Sequence, residues 1–217
     1  MRPSMPTLSE AAQKKVLIAL TLYLASLFAA NTLGLKIMPF ILGFHVSVAV
    51  FSFPFVFLTT DVIGEVYGKK MARFFVRCGF IATALFLVYS LISIAMPWAE
   101  AGMWAKASYE QIFGVTVRIA IASLVAFAVA EFQDVHAFFW VRAKIGERYF
   151  WLRSMISNIW SQLLDSALFM VIAFYGVYSN AALVRIIITW WLFKVLMGLA
   201  YTPLSYLGLK LLRDKTA

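Results

Sequence analysis

Three groups of polar side chains lie inside or at the rim of long apolar runs, where such groups are costly and mark a pathway or a binding site. Asp61 and Glu65 stand four residues apart in FLTTDVIGEVY, a spacing that puts both carboxylates on one helical face. Glu131 and Asp134 stand three apart in AEFQDVHAFF, with Gln133 and His136 on the flanking faces. Ser154, Asn158, Ser161, Gln162 and Asp165 recur through SMISNIWSQLLDSALF at helical spacing and form one polar stripe. Lys194 is a cation inside the last apolar run and completes the set.

These groups are acceptors, or amides that both donate and accept. A carboxylate meets two parallel N–H donors well, the shape of a guanidine-like edge such as the ring N–H and 2-amino group of a guanine-type base. Asn158 and Gln162 can read carbonyl or ring-nitrogen positions beside it. Trp160, Trp190 and Trp191 are available to stack on a flat ring. The residue types therefore favour a neutral or cationic, donor-rich small molecule over an anion. No glycine-rich phosphate loop, Ser–His or Cys–His pairing or metal-ligand spacing is readable, so no enzyme activity, cofactor or metal is expected. His45 and His136 are isolated and read as bundle hydrogen-bonders; the lone Cys78 reads as packing.

Such residues need elements that hold them in an apolar medium. The chain has 217 residues, 63% hydrophobic and 13% charged, with a net charge of +9. Soluble domains are nearer half apolar and a quarter charged, so the composition is that of one all-α, polytopic membrane domain over 1–217. Six apolar segments reach the roughly 20 residues a crossing helix requires: 14–34, 38–60, 73–96, 116–141, 155–178 and 183–210. Lys14 and Lys15 before the first run resemble the start of a signal peptide, but no A-x-A-like site follows, so the run reads as a retained span.

Basic residues orient the bundle. Fourteen of the nineteen fall on one side, among them Arg2, Lys14, Lys15, Lys69, Lys70, Arg73, Arg77, Arg142, Lys144, Arg148, Arg153, Arg213 and Lys215. Lys36, Lys106, Arg118 and Arg185 fall on the other. This bias predicts both termini in the cytoplasm, with tails at 1–13 and 211–217 and an external interfacial connection at 97–114. It accounts for most of the net charge: nucleic acid is excluded as a partner, and anionic lipid headgroups are expected ones. In this frame Asp165 and Lys194 fall at matching depth, about 15 Å along their helices, and are expected to pair near the midplane. Asp61 and Glu65 are expected to turn toward Lys69, Lys70 and Arg73 as an ionic latch; the alternative for these acids and for Glu131 and Asp134 is contact with water or pairing with Lys69, Lys70, Arg142 or Arg153. Oligomeric state is not readable.

TTDVIGEVYGKKMAR, ASLVAF with DVHAF, WLRSMISNIWSQLLDSALF, and Lys194 followed by YTPLSYL resemble the queuosine precursor transporter family, also called the vitamin uptake transporter family. The order and spacing hold from Asn31 to Leu207. The resemblance implies import across the inner membrane of 7-cyano-7-deazaguanine, with its aminomethyl relative a second substrate, for queuosine modification of tRNA. Both are 7-deazaguanines and carry the donor edge inferred above. The family pattern often has Gln where this chain has Glu131. Candidate substrate contacts are Asp61, Glu65, Glu131, Asp134, Asn158, Gln162, Asp165 and Lys194. The alternative is the substrate-binding subunit of an energy-coupling-factor vitamin transporter, which also has about six spans.

Overall fold

A computed structural model describes residues 9–33, 36–39, 45–113 and 117–212; Arg2, Arg213, Lys215 and Gly114 of the readings above lie outside them. Among the described residues the fold is helical, apart from one small hairpin. Helix α1 spans Glu10–Leu33. Strands β1 (Ile37–Pro39) and β2 (His45–Ser47) pair antiparallel, and a 3-10 turn over Val48–Phe51 follows. Then come α2 (Phe53–Tyr67), α3 (Lys69–Ala95), a 3-10 segment (Glu100–Ala105), α4 (Lys106–Phe113), α5 (Val117–Ile145), α6 (Phe150–Phe174) and α7 (Asn180–Leu212). Five of these, α1, α3, α5, α6 and α7, are long and apolar enough to cross a membrane. The chain is a multi-pass membrane protein.

The helix ends follow from local chemistry. The Ser9 hydroxyl accepts from the Ala12 N–H at 3.2 Å to cap α1, and the Ser179 hydroxyl caps α7 by accepting from Ala182 at 3.3 Å. Gly68, at φ +85°, is the single residue between α2 and α3. That backbone conformation suits glycine alone among common residues and lets the chain reverse in one step.

The expected second span over 38–60 is corrected. Residues 37–39 and 45–47 are paired strands and 48–51 a 3-10 turn, and the helix begins only at Phe53, with Pro54 in its first turn. Pro39, Gly43 and Pro54 interrupt the run, which hydropathy alone reads as continuous. Helix α2 is therefore 15 residues long, about 22 Å, short of a 30 Å hydrocarbon core.

What α2 lacks in length it has in burial. It packs against α1, α3, α5, α6 and α7, and Val56, Phe57, Val62 and Ile63 are almost fully enclosed. Around it Tyr23, Leu27, Phe75 and Phe127 form one apolar cluster, and Phe138, Phe150 and Leu209 a second. The outer faces of α1, α3 and α7 carry Leu17, Leu22, Ile81, Leu85, Leu192 and Leu196 outward, as a lipid solvent permits. The centre of the bundle is thus a short helix bearing two acids, ringed by longer ones.

Candidate functional site

Helix α6 turns its polar stripe inward. Ser154, Ser161, Gln162 and Asp165 are buried and Asn158 is half-buried, while Trp160 on the opposite face is exposed. The stripe meets acids from two other helices. The Ser154 hydroxyl donates to Asp61 Oδ2, and Asn158 Nδ2 donates to the same oxygen at 3.4 Å. The Ser161 hydroxyl donates to Asp134 Oδ1 at 2.9 Å. Asp61 and Asp134 face each other at hydrogen-bonding range. Further from the inner end, the Tyr23 hydroxyl of α1 donates to Glu131 Oε2 at 3.3 Å. The expected pair forms: Lys194 Nζ donates to Asp165 Oδ2 at 2.6 Å. Because α6 starts at Phe150, Asp165 is about 22 Å along its helix.

A second network closes the end of the bundle where α2 and α5 finish and α6 begins. Arg153 Nη2 donates to Glu65 Oε1 at 2.9 Å and to the Glu147 carbonyl at 3.1 Å. Arg142 lies 3.4 Å from Glu65 Oε2 and also pairs with Glu147. The Arg153 side chain is 0% exposed, and its guanidinium lies over the rings of Phe138 and Phe150. A pair this enclosed is held by geometry rather than by cheap electrostatics, since removing both charges from water is expensive.

Several expectations are corrected here. The latch does not run to Lys69, Lys70 and Arg73: Glu65 pairs with Arg142 and Arg153, while Asp61 binds the α6 stripe. Arg73 instead meets His136 Nε2 at 2.7 Å, and Lys69 lies over the Phe139 ring. His136, though exposed, does hydrogen-bond between helices, joining α5 to α3 through Arg73; the His45 side chain lies outside the described side chains. Trp160 and Trp190 face outward, and Trp191 donates to the Ile159 carbonyl at 2.9 Å, so none of the three lines the polar interior. The 97–114 connection does carry short helical segments, 100–105 and α4.

Sequence reasoning offered Arg142 and Arg153 as alternative partners of the carboxylates, and Glu65 takes both. It missed Tyr23 as a site residue. Tyr23 falls on the buried line Ala12, Val16, Ala19, Tyr23, Leu27, Ala30, where a lone hydroxyl at core spacing was the available signal.

The site is closed. Between α6 and α7, a crevice lined by Ser154, Asn158, Gly198, Leu199 and Thr202 encloses about 10 Å³, the room of roughly one water. Gln162 Oε1 and Ser166 Oγ are buried without a hydrogen-bond partner among the described residues. Buried acceptors of this kind are paired in most structures. Among the described residues, no three His, Cys, Asp or Glu side chains gather closely enough for a metal ion. Chemically, the interior can accept several N–H donors and can exchange an internal cation for a ligand's donors at Asp165.

Residues 47–208 match the family described as "Putative vitamin uptake transporter". The chain is 32% identical to the "Probable queuosine precursor transporter" of Bacillus subtilis (strain 168), over 72% of its own length and 69% of that protein. It is 29% identical to the "Queuosine precursor transporter" of Escherichia coli (strain K12), over 98% of its length and 96% of that protein. A "Probable queuosine precursor transporter" of Haemophilus influenzae is 29% identical over 72% of the chain and 60% of the relative. No solved structure matches.

Proposed function

Since the chain belongs to the vitamin uptake transporter family, a transporter and not an enzyme, we propose that it imports a 7-deazaguanine queuosine precursor across the inner membrane. 7-cyano-7-deazaguanine is the principal substrate and the aminomethyl form the secondary one. The observation that carries the reading is the inward stripe of α6, where the unpartnered Gln162 acceptor sits between Asn158 and Asp165. A base with a paired N–H edge satisfies Asp165, and its carbonyl and ring nitrogens answer the Asn158 amide. Lys194 neutralises Asp165 while the site is empty and yields it to the substrate. The metabolite needs no metal or cofactor to bind there.

Of the eight candidate contacts, this reading keeps Asn158, Gln162, Asp165 and Lys194 for the base. Glu65 becomes part of the cytoplasmic closure with Arg142 and Arg153. Asp61 and Asp134 brace the stripe, while Glu131 accepts from Tyr23 of α1. A bicyclic base needs far more than the 10 Å³ now present, so α7 must swing from α6 to admit it. Only Leu183, Ser205 and Leu209 of α7 are buried, and Pro203 interrupts its hydrogen bonding. Loose packing and a weak point in one helix support α7 as the moving part.

The test is uptake of labelled 7-cyano-7-deazaguanine into proteoliposomes holding the purified chain alone. Saturable uptake is expected, and Asp165→Asn abolishes it at equal reconstitution. Wild-type uptake by that variant overturns the assignment of Asp165. Dependence on added coupling subunits would favour the energy-coupling-factor alternative.

A further inference from the structure

The acids on α2 and α5 are not used by the base in this reading, and their surroundings are unusual. Glu131 and Asp134 are 0% exposed and Asp61 is 2% exposed. Glu131 Oε1 and Asp134 Oδ2 have no hydrogen-bond partner among the described residues. The groups facing them come from every neighbouring helix. Helix α1 gives the Tyr23 hydroxyl, with the Cys78 thiol of α3 in electrostatic range of it. Helix α6 gives Ser154, Ser157, Asn158 and Ser161, with Asp165 further off. None is a cation. The nearby cations are committed: Arg153 to Glu65, Arg73 to His136, and Lys194 to Asp165.

Three acids enclosed without a counter-charge cannot all be ionised, because an unpaired buried carboxylate carries a desolvation cost of several kcal/mol. Asp61 and Asp134 are held on the same α6 stripe through Ser154 and Ser161, and like charges that close disfavour ionising both. The orphaned Glu131 oxygen has a free lone pair and no donor. What the geometry lacks is a proton; among the described residues no three His, Cys, Asp or Glu side chains are close enough to hold a metal ion instead.

We propose that Glu131, with the Asp61–Asp134 pair next to it, is the proton-binding site that couples substrate import to the proton gradient. The inference rests on the transport reading above. A proton enters onto Glu131 from the outer side when the carrier opens outward, travels with the base, and leaves to the cytoplasm when the Glu65–Arg142–Arg153 closure parts. No bond other than O–H is made or broken. The Asp61 end of the cluster shares Asn158 and Ser154 with the substrate stripe, so protonation and base binding act on the same side chains.

The experiment uses the same proteoliposomes with a trapped pH dye, interior at pH 7.5 and exterior at 7.5 or 6.5. One coupled proton per base supports about a tenfold higher accumulation for one pH unit. The expected result is that gain, together with interior acidification on adding the precursor. Glu131→Gln loses the gain, so its accumulation is the same at both exterior pH values. Tyr23→Phe, a second variant that leaves the acid in place, displaces the pH at which uptake is half-maximal. Uptake indifferent to pH with no acidification overturns the proton assignment while transport stands, as does a gain that follows a sodium gradient instead. A full gain in Glu131→Gln overturns the location. If no precursor enters wild-type vesicles under any gradient, the transport reading fails and takes the inference with it.

Discussion

A methyl group at Gly79 would lie 2.6 Å from the Tyr23 hydroxyl and 3.0 Å from the Phe127 ring. Both neighbours are buried, so neither can retreat into solvent. The absent side chain is what leaves room for the Tyr23 donor to reach Glu131. Gly79→Ala is therefore expected to destabilise the fold by about 1–3 kcal/mol through overpacking, despite alanine's better helix propensity. Gly198→Ala, whose added methyl meets open space, is expected to show no loss in the same thermal unfolding measurement in detergent. Equal behaviour of the two variants would contradict the packing argument. At the inner closure the relevant quantity is an uncompensated charge. Arg153→Ala removes the closer of the two arginines from the enclosed Glu65, and a loss of about 3 kcal/mol is expected. Glu65→Gln combined with Arg153→Met is expected to restore much of it, and a double mutant as unstable as Arg153→Ala would show that the charge is not the cause.

Among the five long helices, α7 buries the fewest side chains, and its Pro203 cannot donate to the Leu199 carbonyl one turn earlier. Pro203→Ala restores that hydrogen bond and stiffens the helix beside the α6 crevice. Thermal stability should rise, precursor binding should stay within about twofold, and uptake should slow severalfold; unchanged uptake would place the moving part elsewhere. The same element-by-element view explains what the sequence could reveal. The α6 stripe was legible because its five polar residues sit on one helix, where spacing alone fixes the face. Asp165 and Lys194 were legible as a pair because long helices in a membrane convert residue count into depth. The partners of Glu65 were legible only as a set: Arg142 and Arg153 stood among four reachable cations, and the rotation of α5 and α6 about α2, which packing sets, decides which of the four are met. The second span was misread because mean hydropathy cannot distinguish a helix from a hairpin, while Pro39, Gly43 and Pro54 could have.

For the whole molecule, the short α2 raises a question of parity. Five long helices alone would place the two ends of the chain on opposite sides of the membrane. With the basic start of α3 (Lys69, Lys70, Arg73 and Arg77) and the basic end of α5 (Arg142 and Lys144) on the inner face, five crossings would put Lys14 and Lys15 at the start of α1 on the outer face, against the same charge bias. The conflict is removed if α2 and the hairpin before it together make a sixth crossing. Backbone outside a helix is tolerated at membrane depth only where its polar groups are satisfied by protein. That condition is met in part by the Ile37–Ser47 ladder and by the Val48 N–H donating to the Lys36 carbonyl at 2.9 Å, with the 3-10 turn packed on α1. In a Cys78→Ser background, a thiol reagent that cannot cross the membrane should therefore label Trp104→Cys from outside intact cells, where the native side chain is 88% exposed. Lys144→Cys should be labelled only after the cells are opened. Reporter tags fused at Met1 and at Ala217 should both read as cytoplasmic. Tags on opposite sides would mean that α2 dips into the membrane and returns without crossing, and that the import pathway has to be drawn through five helices instead of six.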